Sequence, residues 1–464
     1  MNEYHSRGKE ILKILINNGY EAYFVGEAVR NIILEKSIRK IEITTSAHIE
    51  IAKNIFNDCL IIDVDENTVD LKYAGFNYIL KSFVNNNFST NNVIGKHYSK
   101  NLLDDLASRD FSINAIAMSH SGKLTDAYNG YDDIKRRLIS HIGNAKDRFY
   151  KDPSIMVKDF VLVSELNYKF VPKTKKAISK RRKNLTNCDV NLLLDDFKKM
   201  FEGVYVKKTL RLMCKLKVNK SIPAFKKVLA KLQKNYKKQT FEEVLLMADV
   251  LNGKMNDNFR EYISDYDEYC KVYDLVVSNK SSKYDQLTLY TNGLKICLQA
   301  NKINSYLGNS SLKERSIKKK WNNLPLRNVE ELNYRVEDLY KIIRERDYNK
   351  VNIVLEEVAK LVLTNEIKNS RSDIEKTVIQ VLQKNNIFYS LQGINNFEKK
   401  LNEPFQDNIP KRYVSNDKNI ETMFKEIKMV ILDNEDYAKN INDPEALEKD
   451  LYDLLKNHAK KGEN

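Results

Sequence analysis

Proline and glycine are scarce, seven and 14 in 464 residues, and tryptophan occurs once. These two residues are the strongest breakers of regular structure, so a chain this poor in them can run in uninterrupted helices. The five cysteines, Cys59, Cys188, Cys214, Cys270 and Cys297, are odd in number and far apart. That spacing excludes the usual zinc patterns and implies a reducing, cytoplasmic setting without disulfides. No apolar run is long enough to cross a bilayer, and Met1-Asn-Glu-Tyr-His-Ser-Arg7 does not read as a signal peptide, so no membrane partner is expected.

What is present is a folded, soluble balance, with 42% hydrophobic and 30% charged residues. The length allows a sizeable core and roughly two to four domains. A formal net charge of +15 suits a polyanion partner such as RNA. Enrichment in Lys, Asn and Ile through drift of the genome gives the same excess, so composition leaves both readings open.

The first part of the chain alternates short strands with helices. Ile11 to Ile16 lie in an amphipathic helix ending at Asn17-Asn18-Gly19. Tyr20 to Val25 reads as a buried strand, Gly26 as a turn, Ala28 to Leu34 as a helix and Ile41 to Thr44 as a second strand. A helix capped by Ser46 runs to Phe56, followed by strands over Leu60–Val64, Thr68–Tyr73 and Phe76–Val84, the last two joined at Ala74-Gly75. Asn85 to Ser99 reads as a loop. Beyond about residue 140 the pattern is helical, most clearly in Leu192–Phe201, Phe241–Leu251 and Ile353–Leu363. Gly393 to Asn419 is the least regular stretch and precedes a final helical segment, Ile420 to Asn457.

The strand, the glycine turn at Gly26 and the helix that follows form a usual cradle for phosphate, because backbone N–H groups there point at the anion. This stretch, Gly26-Glu27-Ala-Val-Arg30-Asn31 with Lys40-Ile41-Glu42, resembles the head of class II tRNA nucleotidyltransferases, the family of CCA-adding enzymes and bacterial poly(A) polymerases. Their pattern is Gly-Gly-x-Val-Arg-Asp followed by Asp-x-Asp. Asp105-Leu-Ala-Ser108-Arg109-Asp110-Phe-Ser-Ile-Asn114-Ala115 is similar to the family's Asp-Leu-x-Arg-Arg-Asp-Phe-Thr-x-Asn-Ala. Asp126 to Lys135 looks like the acidic, glycine-bearing turn that closes the head. Arg148-Phe-Tyr-Lys151-Asp152-Pro153 resembles the stretch that carries the family's base-reading template. Lys313 to Trp321, Leu324-Pro325-Leu326 and Val336 to Leu339 look like the tail of Firmicutes-type members, so the resemblance runs to about residue 383.

The resemblance implies an α+β chain: a mixed-sheet nucleotidyltransferase-like head over 1–140, then an all-helical neck (141–215), body (216–300) and tail (301–383). Residues 384–464 form a helical extension of unassigned role that could serve a protein partner. It also implies a nucleotide pocket outlined by Gly26, Arg30, Arg109, Asp110, Asn114, Asp152 and Lys158. Arg109 can offer a fork of donors to phosphate or ribose, and Asp110 and Asn114 can hold it or brace the fold.

Catalysis in this family needs Mg²⁺ ions held by carboxylates that strand alternation brings to one face. Here the Asp-x-Asp pair is Lys40 and Glu42, which leaves Glu42 as the one acidic candidate for catalysis and metal binding. A lysine at a ligand position repels a divalent ion by several kcal/mol at short range. Ile79 and Val84 stand where the family has a glutamate and an arginine, Ile155 and Val161 where it has arginines, and Glu27 faces the phosphate turn. Asp63, Asp65 and Asp70 could in principle supply oxygen atoms, but no spacing among them restores the pair. The expectation is a family member that binds RNA, tRNA in particular, and has lost transfer chemistry. ATP, CTP and Mg²⁺ would be needed only by the rival, an active CCA- or A-adding enzyme with a relocated metal site. A rival of another class is a protein-interaction scaffold. Basic runs at Lys173–Lys183, with Lys180, Arg181 and Arg182, and at Lys313–Lys320, with Lys318, Lys319 and Lys320, are the candidate RNA contacts.

Overall fold

The computed structural model describes residues 3–85, 97–340 and 348–385, together with Ile343 and Ile387. The stretches 393–419 and 420–457 therefore lie outside the described residues. The chain divides into two compact units, 1–273 with 306–308 and 274–305 with 309–464.

The first unit opens with α1 (Glu3–Asn17), whose buried Ile11, Leu12 and Leu15 lie on one face. It ends in a Schellman motif: Gly19, at φ 86°, donates to the Ile16 carbonyl at 2.9 Å, and the Tyr20 amide donates to Leu15 at 3.1 Å. That use of Tyr20 explains why β1 (Ala22–Val25) starts two residues later than the apolar run suggests. After it come α2 (Glu27–Ile33), β2 (Ile41–Thr45), α3 (Ile49–Ile55), β3 (Leu60–Asp65), β4 (Thr68–Tyr73) and β5 (Phe76–Ser82). The expected cap of α3 is corrected. His48 Nδ1 accepts from the Glu50 amide at 3.4 Å, while Ser46 Oγ accepts from the Glu21 amide at 2.9 Å and pins the start of β1. The expected strand to Val84 is interrupted at Phe83. Beyond it, β6 (Val84–Asn85) pairs with β7 (His97–Tyr98), so the ends of the segment read as a loop form a short ladder.

The unit continues with α4 (Leu102–Ser108), a 3₁₀ turn over Ser112–Asn114, β8 (Ile116–Met118), β9 (Leu124–Asp126) and α5 (Gly130–Arg136). Seven strands form one mixed sheet in the order β3-β4-β5-β2-β1-β8-β9, in which only β2 and β5 run parallel. One face buries Phe24, Ile41, Ile43, Tyr78 and Leu80. The other carries Val25, Phe83, Leu102, Leu106, Ala115 and Ala117 in a second apolar cluster. The turn that closes the sheet needs its glycine: a Cβ on Gly130 would sit 2.1 Å from the Ser112 carbonyl oxygen. Asp126 ties this turn by accepting from the amides of Gly130 and Tyr131, each at 2.9 Å.

Helices then take over, as their periodicity and the scarcity of breakers predict. A short parallel pair, β10 (Leu138–Ile139) and β11 (Lys169–Phe170), brackets α6 (Ala145–Lys151) and α7 (Ile155–Leu166). Next come α8 (Pro172–Arg181), α9 (Asn191–Glu202), α10 (Val206–Lys215), α11 (Lys226–Leu232), α12 (Phe241–Asn252) and α13 (Tyr266–Ser278). Proline at the first position of α8 costs no hydrogen bond, and Thr240 with Glu243 forms a capping box on α12.

The second unit contains most of α14 (Gln286–Leu307), broken at Gly293 where φ is 73°, then α15 (Glu314–Asn322), α16 (Val336–Tyr340), α17 (Tyr348–Leu363) and α18 (Arg371–Lys384). Val354, Val358 and Ala359 of α17 and Ile374, Val378 and Leu382 of α18 are all fully buried. No helix among the described residues is long and apolar enough to cross a membrane.

Candidate nucleotide and metal site

Register fixes what the sheet presents beneath α4. Val25 pairs with Glu42, Glu42 with Ile79, and Ile79 with Asp70, so these four side chains project from one face of neighbouring strands. Val25 belongs to the cluster that contains Leu102 and Leu106 of α4, so Glu42 faces that helix. The end of α4 then delivers Arg109. Its Nη2 donates to Glu42 Oε1 at 2.9 Å and to Asp105 Oδ2 at 3.0 Å. Lys81 on β5 lies 3.9 Å from the same Glu42 oxygen. The Arg109 and Asp105 side chains are 12% and 2% exposed. Burial disfavours the charge on Arg109, but Glu42 and Asp105 together outweigh it and raise the guanidinium's affinity for its proton. The sequence signal for Asp105 was its position one helical turn before Arg109.

Gly26 closes this cluster from the other side. Its φ is 73°, and a Cβ there would meet Glu42 Oε2 at 3.0 Å and Arg109 Nη1 at 3.4 Å. Arg30, one turn along α2, is buried and committed. It donates to Asn114 Oδ1 at 3.0 Å and to Asn31 Oδ1 at 3.3 Å, with Glu27 at 3.6 Å and Glu165 at 3.8 Å. Asn114 thus braces the helix against the 3₁₀ turn. Glu27 turns back along α2, where it also accepts from Asn31 at 3.2 Å. Burial raises the pKa of Glu165, against the pull of Arg30.

Asp110, Asp152 and Lys158 form a second group. Asp110 accepts from Arg148 at 3.1 Å and has Lys158 at 3.9 Å. Asp152 accepts from the Ser154 amide at 2.9 Å and hydroxyl at 2.6 Å, closing the turn into α7. The Lys158 side chain is 44% exposed, and its charge lowers the pKa of Asp196, which burial raises more strongly. Ile155 and Val161, where the family pattern has arginines, are buried in the apolar core.

The donors do not suit a pair of Mg²⁺ ions. Glu42 already accepts from a guanidinium, and Lys40 is exposed just before β2. Asp70 lies two strands from Glu42, about 10 Å at usual strand spacing, with Ile79 between them. Magnesium–oxygen distances of about 2.1 Å cannot span that gap. Asp63 is paired with Lys53 at 2.6 Å on the β3 edge. Among the described residues no group of three or more His, Cys, Asp or Glu side chains could hold a metal.

The basic runs are less uniform than their sequence. Arg181 lies over the Tyr150 ring at 4.8 Å from its centroid, and Arg182 donates to the Ser179 carbonyl. Lys180 is exposed on α8. On α15, Lys318 is 3.9 Å from Glu314, Lys319 is exposed, and Lys320 donates to the Tyr284 carbonyl at 3.0 Å.

Comparison with known proteins agrees with this architecture. The Poly A polymerase head domain family matches residues 22–140, and the tRNA nucleotidyltransferase domain 2 family matches 217–378. The CCA-adding enzyme of Oceanobacillus iheyensis is 27% identical over 392 residues, covering 80% of this chain and 96% of its own. That of Bacillus subtilis is 25% identical over 388 residues, covering 79% and 96%. The chain belongs to the tRNA nucleotidyltransferase and poly(A) polymerase family. The crystal structure of the Bacillus stearothermophilus CCA-adding enzyme in complex with CTP shares the fold, with a TM-score of 0.66 at 24% identity over 83% of this chain and 98% of that one. The Thermotoga maritima CCA-adding enzyme complexed with tRNA gives 0.54 at 17% identity, covering 80% and 94%. Of the family pattern quoted above, the Asp105 and Arg109 positions are kept, and here both side chains close into a network with Glu42. Lys81, Asp105 and Glu165 around this network, and Arg148 beside Asp110, are residues that sequence reasoning did not single out.

Proposed function

We propose that this chain binds RNA, tRNA in particular, and has lost metal-dependent nucleotidyl transfer. One observation carries the reading: the single acidic side chain left at the metal pair, Glu42, is neutralised by Arg109 at 2.9 Å. An ion pair in this position takes up acceptor capacity that a magnesium ion would need, and drawing Glu42 away to a metal would leave Arg109 with Asp105 as its remaining partner. Lys40 at the partner position adds repulsion of any cation, and Arg30 is engaged by Asn114, Asn31, Glu27 and Glu165. RNA binding is supported by the net charge of +15 and by the exposed cations of α8 and α15, which need no base-specific contact to grip phosphates.

The test incubates the purified chain with Mg²⁺, labelled CTP or ATP, and tRNA lacking its 3′ end. The expected outcome is no incorporation, alongside a salt-dependent shift of tRNA but not of duplex DNA. Incorporation that disappears in Glu42→Ala would overturn the loss of transfer. Absence of any tRNA shift at low salt would overturn the binding.

A further inference from the structure

A second polar site lies in the first unit, sharing no residue with the Glu42–Arg109–Arg30 network. A cavity of about 430 Å³ opens between the start of α6 and the exposed face of α8, lined by Lys146, Lys173, Lys176 and Lys180, with His141 and Thr174 among its buried wall residues. The spacing of Lys173, Lys176 and Lys180 along α8 places them on one helical face, and Lys146 comes from α6. No carboxylate lines the cavity, and none of the four lysines makes an ion pair among the described residues. Gathering like charges without counter-charge raises the energy of the fold, and a bound anion relieves it.

His141 gives the cavity a built wall. Its side chain is 1% exposed, held between the Phe111 and Phe149 rings with centroids at 4.7 and 5.0 Å. Nε2 is fixed by Asp159 of α7 at 3.0 Å, so the ring cannot turn without losing that bond. Nδ1 is then left buried with no hydrogen-bond partner among the described residues. A buried polar atom without a partner is unfavourable, and a hydrogen bond to a bound ligand would relieve it.

We propose that this cavity is a binding site for a phosphate group, gripped by Lys146, Lys173, Lys176 and Lys180 over His141. The phosphate comes either from an RNA strand or from a free phosphate ion. Its α8 lysines belong to the face proposed above for RNA, so the RNA source rests on that reading, whereas binding of free phosphate does not.

The experiment follows the His141 imidazole nitrogens by NMR in the full chain while inorganic phosphate is added, with chloride at matched ionic strength as control. Phosphate shifts the His141 signals and raises the melting temperature beyond the control. Lys173→Gln/Lys176→Gln weakens phosphate binding about tenfold, the scale of one lost charge-assisted bond. A matching pair on another helix, Lys207→Gln/Lys208→Gln, leaves phosphate binding unchanged and reports any general effect of lowered charge. If a 5′-phosphorylated RNA oligonucleotide competes with phosphate for these signals, RNA supplies the group. If phosphate shifts them and RNA does not compete, the ligand is the free ion. Identical responses to phosphate and chloride, or undiminished binding in Lys173→Gln/Lys176→Gln, overturn the site.

Discussion

Arg109 bridges Glu42 and Asp105, with Nη2 at 2.9 Å from one carboxylate and 3.0 Å from the other. This bridge links the sheet to α4, so it is structural before it is anything else. Arg109→Gln leaves Asp105, 2% exposed, without its counter-charge, and is expected to cost about 3–5 kcal/mol, as broken buried pairs do. Glu42→Gln keeps a hydrogen-bond acceptor and leaves Arg109 paired with Asp105, so its cost is smaller. Urea unfolding of both variants checks the order, and a larger loss in Glu42→Gln would contradict the bridge as described.

Gly26→Ala probes the same cluster from the backbone. The residue sits at φ 73°, and a Cβ there meets Glu42 Oε2 at 3.0 Å. Left-handed backbone at a non-glycine residue costs on the order of 1–3 kcal/mol, and here the added methyl also crowds the ion pair. The expected result is a melting temperature a few degrees lower, at about 2–4 °C for each kcal/mol in a unit of this size. A melting temperature within a degree of the parent would show that the turn relaxes freely.

The α+β order was legible because its signals are local. Alternation located β3 to β5, and the 3.6-residue period located α9 and α12. Tyr20 and Ser46 misled because each looked like part of one element while serving another: Tyr20 caps α1, and Ser46 holds the start of β1. In the candidate site, the substitutions at Lys40 and Ile79 were readable from motif spacing. The engagement of Glu42 was not, because Arg109 reaches it across 67 residues of sequence. Likewise Arg30 reads as a phosphate ligand until Glu165, brought in by α7, is seen beside it.

Asp249 on α12 makes part of the stability of the first unit depend on pH. It is 1% exposed, accepts from the Tyr269 hydroxyl at 2.7 Å, and burial pushes its pKa up to about 7. An unfolded aspartate titrates near 3.9, so the native state holds its proton more tightly. The stabilising contribution is therefore fully present below about pH 4 and is lost as pH rises through about 7, by at most about 1.4 kcal/mol per pH unit. Asp249→Asn removes this dependence and makes the protein more stable than the parent at pH 8. Chemical denaturation across pH 5 to 8 measures it, and a parent curve no steeper than that of the variant would refute the assignment.

Salt dependence tests the basic faces on α15. Lys318 and Lys319 are exposed, whereas Lys320 is engaged with the Tyr284 carbonyl. Lys318→Gln/Lys319→Gln is expected to lower the slope of log K against log salt for tRNA by roughly 0.7–0.9 per lysine. Lys320→Gln instead lowers thermal stability, through its lost bond to Tyr284, more than it changes the slope. Equal slopes for the parent and the Lys318→Gln/Lys319→Gln variant would remove this face from the RNA interface.

The sheet register suggests how a metal site could be rebuilt, and the attempt separates lost chemistry from lost scaffold. Ile79 is the direct partner of Glu42 on β5, so Ile79→Glu would set two carboxylates on adjacent strands about 5 Å apart. Lys40→Asp removes the repelling cation, and Glu42→Asp shortens the chain that reaches Arg109. In the parent, Mg²⁺ should raise the melting temperature no more than an ionic-strength control. The Lys40→Asp/Glu42→Asp/Ile79→Glu variant should be less stable without metal, because its added carboxylates repel, and should recover with Mg²⁺ as binding to the native state predicts. Mg²⁺-dependent stabilisation of the parent equal to that of the variant would mean that Glu42 binds metal despite Arg109, and the proposed loss of metal chemistry would fall with it.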